Sequence, residues 1–145
     1  MSGGRFDSMR SLVVPANEES LDEVLEFIGG ELERHGCSVS PLVQTQLDMA
    51  VEEIFVNISS YAYKPAKGDV EIRCEVRGEV PSVTVQLLDR GRPFDPLAKE
   101  DADTCPEALE AREGGLGILL VKKTMDHVSY SYENGKNVLT FTKKL

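Results

Sequence analysis

Residues 50–57 read Ala-Val-Glu-Glu-Ile-Phe-Val-Asn and lie at the centre of an apolar pattern with the period of an α-helix. The apolar side of this helix comprises Leu47, Val51, Ile54, Phe55 and Ile58. Ser40 can cap its first turn, in which Pro41 is tolerated. Lys64-Pro65 stops the pattern, so we predict a helix that ends at about Tyr61.

The segment before this helix predicts an edge strand and a first amphipathic helix. Met9 to Val14 is a short β-rich run that a proline ends. The first helix has its apolar positions at Leu21, Val24, Leu25, Ile28 and Leu32. Its cap is either Ser20 or Asn17. We expect a bend or a frayed turn at Gly29-Gly30 and an end at His35-Gly36.

The rest of the chain predicts two hairpins. Asp69 to Val76 alternates apolar and polar residues, and Val83 to Leu87 repeats the alternation after a turn. Val128 to Tyr132 alternates as well, and Asn137 to Lys143 returns after Asn134-Gly135, a strong signal for a tight turn. This order of elements predicts an α+β fold, a two-layer α/β sandwich in which a mixed, mainly antiparallel sheet carries helices on one face.

Length and charge limit the classes of protein to consider. The 145 residues indicate one domain, at 9–145, behind a flexible N-terminus at 1–8. The formal charge of −9 argues against direct nucleic-acid binding. No apolar run approaches the roughly 20 residues of a membrane helix. Three cysteines without CxxC spacing indicate neither disulfides nor zinc, so we expect a cytoplasmic protein.

Glu53 and Asn57 form the first candidate pair. They are one helical turn apart and project from the same side, about 6 Å apart along the axis. A solvated helix face would explain such a pair. The functional alternative is a carboxylate that orients a hydroxyl beside an amide oxygen that holds a hard cation.

Asp89 is the second candidate, because it shares the inward parity of Val83, Val85 and Leu87 at the end of its strand. A carboxylate in that position needs hydrogen-bond donors. A local turn at Arg90-Gly91 could supply them. The alternative is an inward acceptor for an exocyclic amine such as that of adenine, with Gly91 allowing a flat ring to approach the backbone.

The third candidate is the run Gly114-Gly115-Leu116-Gly117, which opens an apolar helical segment. The first amides of a helix favour an anion. A flexible loop that leads into a helix would look the same. Residues 90–113, just before it, have no periodicity, and a loop of that length is usually functional or disordered.

Taken in order, these parts resemble the ATP-binding fold of DNA gyrase, the 90-kDa heat-shock chaperone, sensor histidine kinases and the MutL ATPases. The matching stretches are Ala50 to Asn57, Leu88 to Pro96 and Gly114 to Asp126. Within that superfamily the chain is most similar to the bacterial anti-sigma-factor serine kinases.

The resemblance implies an ATP site with Mg²⁺. Asn57 would bind the metal, Glu53 would be the catalytic base for the acceptor hydroxyl, and Asp89 would accept from the adenine amine. The implied nucleotide-binding residues are Asn57, Asp89, Gly91, Pro93, Gly115, Leu116 and Gly117. Residues 92–113 would form the lid over the nucleotide.

The chain departs from the superfamily pattern at three places. Pro93 stands where Asp-x-Gly-x-Gly has its second glycine, a variant familiar in the anti-sigma branch. Tyr61-Ala-Tyr63 replaces the His-Ala-Tyr or His-Gly-Tyr of many relatives. Asn137-Val138-Leu139 occupies the region where relatives often carry Gly-Thr-Thr beside the adenine.

The function implied by the resemblance is phosphorylation of an anti-anti-sigma protein, combined with sequestration of a sigma factor, by a homodimer in the cytoplasm. The alternative is a nucleotide-sensing module that binds a regulator with negligible catalysis. A detached histidine-kinase domain is a third possibility, although the chain has no helical hairpin with a phosphorylatable histidine. A gyrase or chaperone subunit would need large additional domains.

Overall fold

One antiparallel sheet organises the described chain, which a computed structural model covers at residues 9–62, 67–98 and 115–145. The strands are β1 (Arg10–Pro15), β2 (Asp69–Arg77), β3 (Ser82–Asp89), β4 (His127–Glu133) and β5 (Lys136–Lys144). Their spatial order is β1-β2-β3-β5-β4, and every neighbouring pair is antiparallel. The predicted α+β fold is confirmed, and the described strands include no parallel pair.

Within the described residues, three helices cover one face of this sheet: α1 (Leu21–Arg34), α2 (Pro41–Asn57) and α3 (Gly115–Thr124). A single π-helical segment, Ile58–Ala62, continues α2 close to its predicted end. The predicted N-terminus at 1–8 and the greater part of the predicted lid, residues 99–113, lie outside the described residues.

The helix ends follow from local side-chain chemistry. Ser40 Oγ accepts a hydrogen bond from the Val43 amide at 3.2 Å and caps α2 as predicted. Of the two candidate caps for α1, Asn17 accepts from the Ser20 amide at 3.1 Å, at a short 3₁₀ turn that leads into the helix. Gly36, at φ +66°, ends α1 in the left-handed conformation that favours glycine. The helix itself runs unbroken through Gly29-Gly30.

The core lies between the helices and the inward side of the sheet. Val70, Ile72 and Cys74 of β2 face the same way as Val85 and Leu87 of β3, and all are at most 1% exposed. The central helix α2 adds its apolar stripe to this cluster, with Phe55 fully buried. The predicted alternation is therefore confirmed, and the same parity carries Asp89 to the inward face.

The last hairpin turns at Asn134-Gly135, whose φ angles of +54° and +77° are those of a type I′ turn. That turn sets the register of β4 against β5, with Tyr130 opposite Leu139 and Tyr132 opposite Asn137. Among the described residues, no helix combines the length and the apolar character that crossing a bilayer requires.

Replacing Phe55 with alanine should lower the free energy of unfolding by about 3–5 kcal/mol, because the fully buried ring leaves a cavity between α2 and the sheet. Urea denaturation measures this change. Val80, which is 78% exposed, provides the control, since Val80→Ala should change the free energy by less than about 0.5 kcal/mol. Equal effects of the two substitutions would contradict the described core.

Candidate functional site

A cavity opens where the C-terminal end of α2 faces the ends of β3 and β5. Its empty volume is about 450 Å³, including the open mouth. Apolar side chains from α2 and the sheet form its floor: Ile54, Ile58, Leu87 and Leu139. Its polar lining comes from Asn57, Asp89, Tyr130 and Asn137, and its mouth from Arg92, Phe94 and Pro96. An apolar floor with a few converging polar groups is the usual form of a small-molecule site.

Asp89 is the buried charge of this cavity, with 5% of its surface exposed. Its Oδ1 accepts hydrogen bonds from the Gly91 amide at 2.9 Å and from Asn137 Nδ2 at 3.0 Å. The first of these is the local turn considered from the sequence, and it coexists with a position in the cavity wall. The carboxylate is thus both locally held and presented to a ligand.

Asn137 joins the elements around the cavity mouth. Its Nδ2 donates to the Arg92 carbonyl at 2.9 Å as well as to Asp89. Its Oδ1 accepts from the Phe94 amide at 3.1 Å and from the Tyr130 hydroxyl. This one amide therefore fixes the chain that leaves β3 against β4 and β5.

Glu53 is hydrogen-bonded to the Asn57 side chain but lines the space beside the cavity. Both side chains are half-buried on α2, but Glu53 lines an open groove between α2 and α3. The groove is lined by Gln46, Met49, Ala50, Glu52, Glu53, Val56, Gly117, Leu120, Val121 and Thr124. The helix therefore presents an amide to the cavity and a carboxylate to the groove beside it.

Gly117 makes the position of Glu53 possible. A Cβ atom built on Gly117 would overlap Oε1 and Cδ of Glu53 and would stand 2.8 Å from its Cγ. The carboxylate thus occupies the space that any larger residue would fill. Glycine is needed here for close approach and not for a positive φ.

Burial is the main reason that the pKa of Glu53 is raised above the ordinary glutamate range. The neighbouring charge of Glu52 raises the pKa further, and a hydrogen bond with the Asn57 side chain opposes both effects. A carboxylate of this kind binds a proton more readily than a solvated one, which suits general-base chemistry near neutral pH.

Comparison with known proteins now decides the family. A profile described as a histidine kinase-like ATPase domain matches residues 14–143. This protein belongs to that family. The histidine kinase-like ATPase domain here is 29% identical to the serine-protein kinase RsbW of Listeria monocytogenes over 133 residues, 89% of this chain and 83% of the relative. The RsbW of Oceanobacillus iheyensis is 29% identical over 132 residues, 87% of this chain and 80% of the relative.

A solved structure supports the same fold. The RsbU and RsbW domains of a Mycobacterium tuberculosis protein superpose with a TM-score of 0.60 at 16% identity, covering 94% of this chain and 32% of that one. The chain thus spans about a third of the length of that solved protein. The predicted resemblance to the anti-sigma kinase branch of the superfamily is confirmed at the level of family and fold.

Within this ATPase domain, the structure brings some of the predicted site residues together and leaves others apart. Asn57 and Asp89 share the cavity, and Gly91 is buried beside Asp89. Pro93 is exposed and does not line the cavity, although Arg92 and Phe94 on either side of it do.

The glycine segment stands at the start of α3. Gly115 and Leu116 form its first turn, and Gly117 faces the groove. Gly117 does not line the cavity. Gly114 lies outside the described residues.

Two lysines to which the sequence assigned no role hold backbone carbonyls. Lys122 Nζ on α3 donates to the Leu97 carbonyl at 3.0 Å, and Lys143 Nζ donates to the Thr124 carbonyl at 2.8 Å. The first bond ties α3 to the chain that follows the cavity mouth.

The contact between Asn137 and Asp89 was also missed by sequence reasoning, because the two residues lie 48 positions apart.

The oxygen ligands that the cavity offers fit Mg²⁺ bound together with phosphate. The described residues contain no cluster of three or more His, Cys, Asp or Glu side chains that could hold a metal by themselves. Mg²⁺ in nucleotide sites commonly takes one or two protein oxygens, and the Asn57 carboxamide can supply one.

Gly117→Ala should displace the Glu53 carboxylate into solvent, because the new methyl group takes its space. The pKa of Glu53 should then fall toward the ordinary glutamate value. Carbon-13 NMR titration of the glutamate side chains measures the shift. Gly30→Ala is the matched control, since a Cβ at Gly30 meets nothing within 4 Å. A Glu53 titration unchanged by Gly117→Ala would contradict the described packing.

Proposed function

We propose that this chain is an ATP-dependent protein serine kinase of the anti-sigma type, which phosphorylates an anti-anti-sigma protein and sequesters a sigma factor. The observation that carries the kinase proposal is the position of Glu53, a carboxylate of raised pKa in an open groove. It lies one turn from Asn57, which lines the cavity. The curated relatives named serine-protein kinase RsbW support the class of activity.

The cavity suits an adenine ring in its chemistry. Leu87 and Leu139 offer an apolar floor to the ring, and Asp89 offers a carboxylate oxygen to the six-position amine. Gly91 holds that carboxylate through its amide. Pro93 and Leu116 stay proposed contacts that rest on the family resemblance.

The phosphate end of the nucleotide would lie toward α3 and the end of α2. Asn57 would hold Mg²⁺, which neutralises phosphate charge when bound. The first amides of α3, at Gly115 and Gly117, would donate hydrogen bonds to the phosphates at the start of the helix. These residues bind and orient, which is most of what phosphoryl transfer requires of a protein.

Glu53 would receive the acceptor serine from the groove between α2 and α3. Its carboxylate would accept a hydrogen bond from the serine hydroxyl and take the proton as the serine oxygen bonds to the γ-phosphorus. The bond from that phosphorus to the β–γ bridging oxygen would break at the same time, with ADP as the leaving group. Met49 and Leu120, which are 48% and 38% exposed, offer apolar contacts to residues that flank the serine. The acceptor thus enters from a side that the nucleotide does not occupy.

The partners follow from the same proposal. An anti-anti-sigma protein is the substrate and a sigma factor is the sequestered partner. The formal charge of −9 supports protein partners, because it would repel nucleic acid. We propose that the protein is a homodimer in the cytoplasm. In each chain residues 9–145 would form the ATP-binding domain, and residues 92–113 would form the lid over the nucleotide.

A second candidate function is a nucleotide-sensing module that binds a regulator without transferring phosphate. Glu53 lines the groove and not the cavity beside it, which favours this alternative, because a base outside the nucleotide cavity serves transfer only if the acceptor reaches it. Measurement of transfer to a partner distinguishes the two functions.

Glu53→Gln should reduce the rate of transfer from labelled ATP to the anti-anti-sigma protein of the same organism by about 10²–10⁴-fold, because glutamine cannot take the hydroxyl proton. Calorimetric ATP affinity should stay within a few-fold of the unaltered value. Normal transfer by Glu53→Gln would exclude Glu53 as the base. A complete absence of transfer by the unaltered chain would favour the second candidate.

Glu52→Gln is the matched control and also tests the pH dependence. Transfer needs ionised Glu53, so its rate should fall as the pH decreases through the raised pKa of that residue. Glu52 is exposed and its charge raises that pKa. Its removal should keep transfer intact and move the acidic limb of the rate profile to lower pH. A limb that stays in place would show that another group controls it.

Asp89→Asn should weaken ATP binding by about 10–100-fold in calorimetry, because an amide can turn a donor toward the adenine amine in place of a charged acceptor. Asp22→Asn on the exposed side of α1 is the control and should leave binding unchanged. Undiminished affinity in Asp89→Asn would remove Asp89 from the adenine site.

A further inference from the structure

We propose that Asn137 is a positioning residue that makes the cavity selective for a six-amino purine, by holding the Asp89 carboxylate with one oxygen toward the protein and the other toward the ligand. Tyr130 and the Phe94 amide hold Asn137 in turn. The inference rests on the proposed nucleotide site and assigns its base selectivity to a residue in the second hairpin.

The orientation of the Asn137 amide is fixed by its partners. The Phe94 amide can only donate, so the atom that it meets at 3.1 Å must be the oxygen Oδ1. The other end faces three oxygens, Asp89 Oδ1 at 3.0 Å and the carbonyls of Arg92 and Gly91 at 2.9 and 3.4 Å. That end must be the NH₂ group, and a flipped amide would lose every one of these bonds.

Burial gives these bonds their importance. Asn137 is 6% exposed and Asp89 is 5% exposed, and the two residues are paired across β3 and β5. In such an environment an unpaired amide or carboxylate is costly, so both side chains stay in the bonded arrangement. The strand register itself therefore places the donor beside the carboxylate.

The two donors leave an asymmetric carboxylate. The Gly91 amide and Asn137 Nδ2 both bind Oδ1, and no donor from the described residues binds Oδ2. Asp89 lines the cavity and also an open pocket beside it that contains Arg90 and Lys136. In the proposal, Oδ2 is the acceptor left for a ligand in the cavity. A purine with a six-amino group donates to it, whereas a six-oxo group places oxygen against oxygen.

Tyr130 supports Asn137 from β4, where its hydroxyl donates to Oδ1. Burial is the main reason that the pKa of the Tyr130 phenol is raised. A hydrogen bond with the Phe94 backbone lowers this pKa, and the charges of Asp95 and Asp89 raise it further. The hydroxyl thus stays protonated and able to donate across the neutral range. Tyr130→Phe removes this support and leaves the contacts of Asn137 Nδ2 in place.

The test compares ATP with inosine triphosphate, which differs at the six-position, where oxygen replaces the amine, and at the adjacent ring nitrogen. Isothermal titration calorimetry on the full chain gives the dissociation constant of each nucleotide, and the selectivity is the constant for inosine triphosphate divided by the constant for ATP. Asn137→Leu should reduce that ratio by about tenfold or more, mainly through weaker ATP binding. Tyr130→Phe should reduce it by a smaller factor. Thr140→Val, on the same strand but bonded to Gln86 on the opposite sheet face, should leave it unchanged.

A purely structural role for Asn137 predicts a different result. Loss of the cavity mouth would weaken both triphosphates equally and leave their ratio unchanged, which would overturn the inference. If Asn137→Leu does not fold, as judged by circular dichroism, an unchanged ratio in Tyr130→Phe overturns it in the same way. Failure of the unaltered chain to bind ATP would overturn the proposed function together with this inference, whereas ATP binding with an unchanged ratio overturns this inference alone.

Discussion

A carboxylate at the buried end of a strand must be supplied with donors, and meeting this requirement shapes the cavity. Asp89 receives one donor from its own chain at Gly91 and one from Asn137 on the neighbouring strand. The bonds that satisfy Asp89 also draw the following backbone across the end of the sheet, where Phe94 is held. The mouth of the cavity is therefore a consequence of the pairing between β3 and β5.

The second organising contact joins the helices. Glu53 on α2 fills the space left by the missing side chain of Gly117 on α3, so the two helices meet around a carboxylate. The low exposure of this contact raises the pKa of Glu53, which makes the packing and the proposed chemistry inseparable. Lys122 on the same helix holds the Leu97 carbonyl, and α3 thereby contacts both the groove and the chain beyond the cavity.

Local periodicity predicted the described helices and strands because each repeats its apolar positions within a few residues. It also placed Asp89 on the inward face. It could not find the contact of Asn137, since cross-strand pairing depends on register over 48 positions of sequence. Nor could it show that Glu53 and Asn57, which share a helix side and a hydrogen bond, line neighbouring spaces, because that depends on the packing of α3 against α2. The choice of Asn17 over Ser20 as a cap likewise needed the backbone angles of the short turn.

The division of α2 between two spaces has an evolutionary consequence. Met49 and Leu120 border the groove and do not line the cavity. Under the proposed function, substitutions at these positions would change which protein is recognised and would leave the nucleotide cavity unchanged. Duplicated copies of such a gene could then diverge within one cell, so that each protein recognises a different partner while all of them use the same nucleotide.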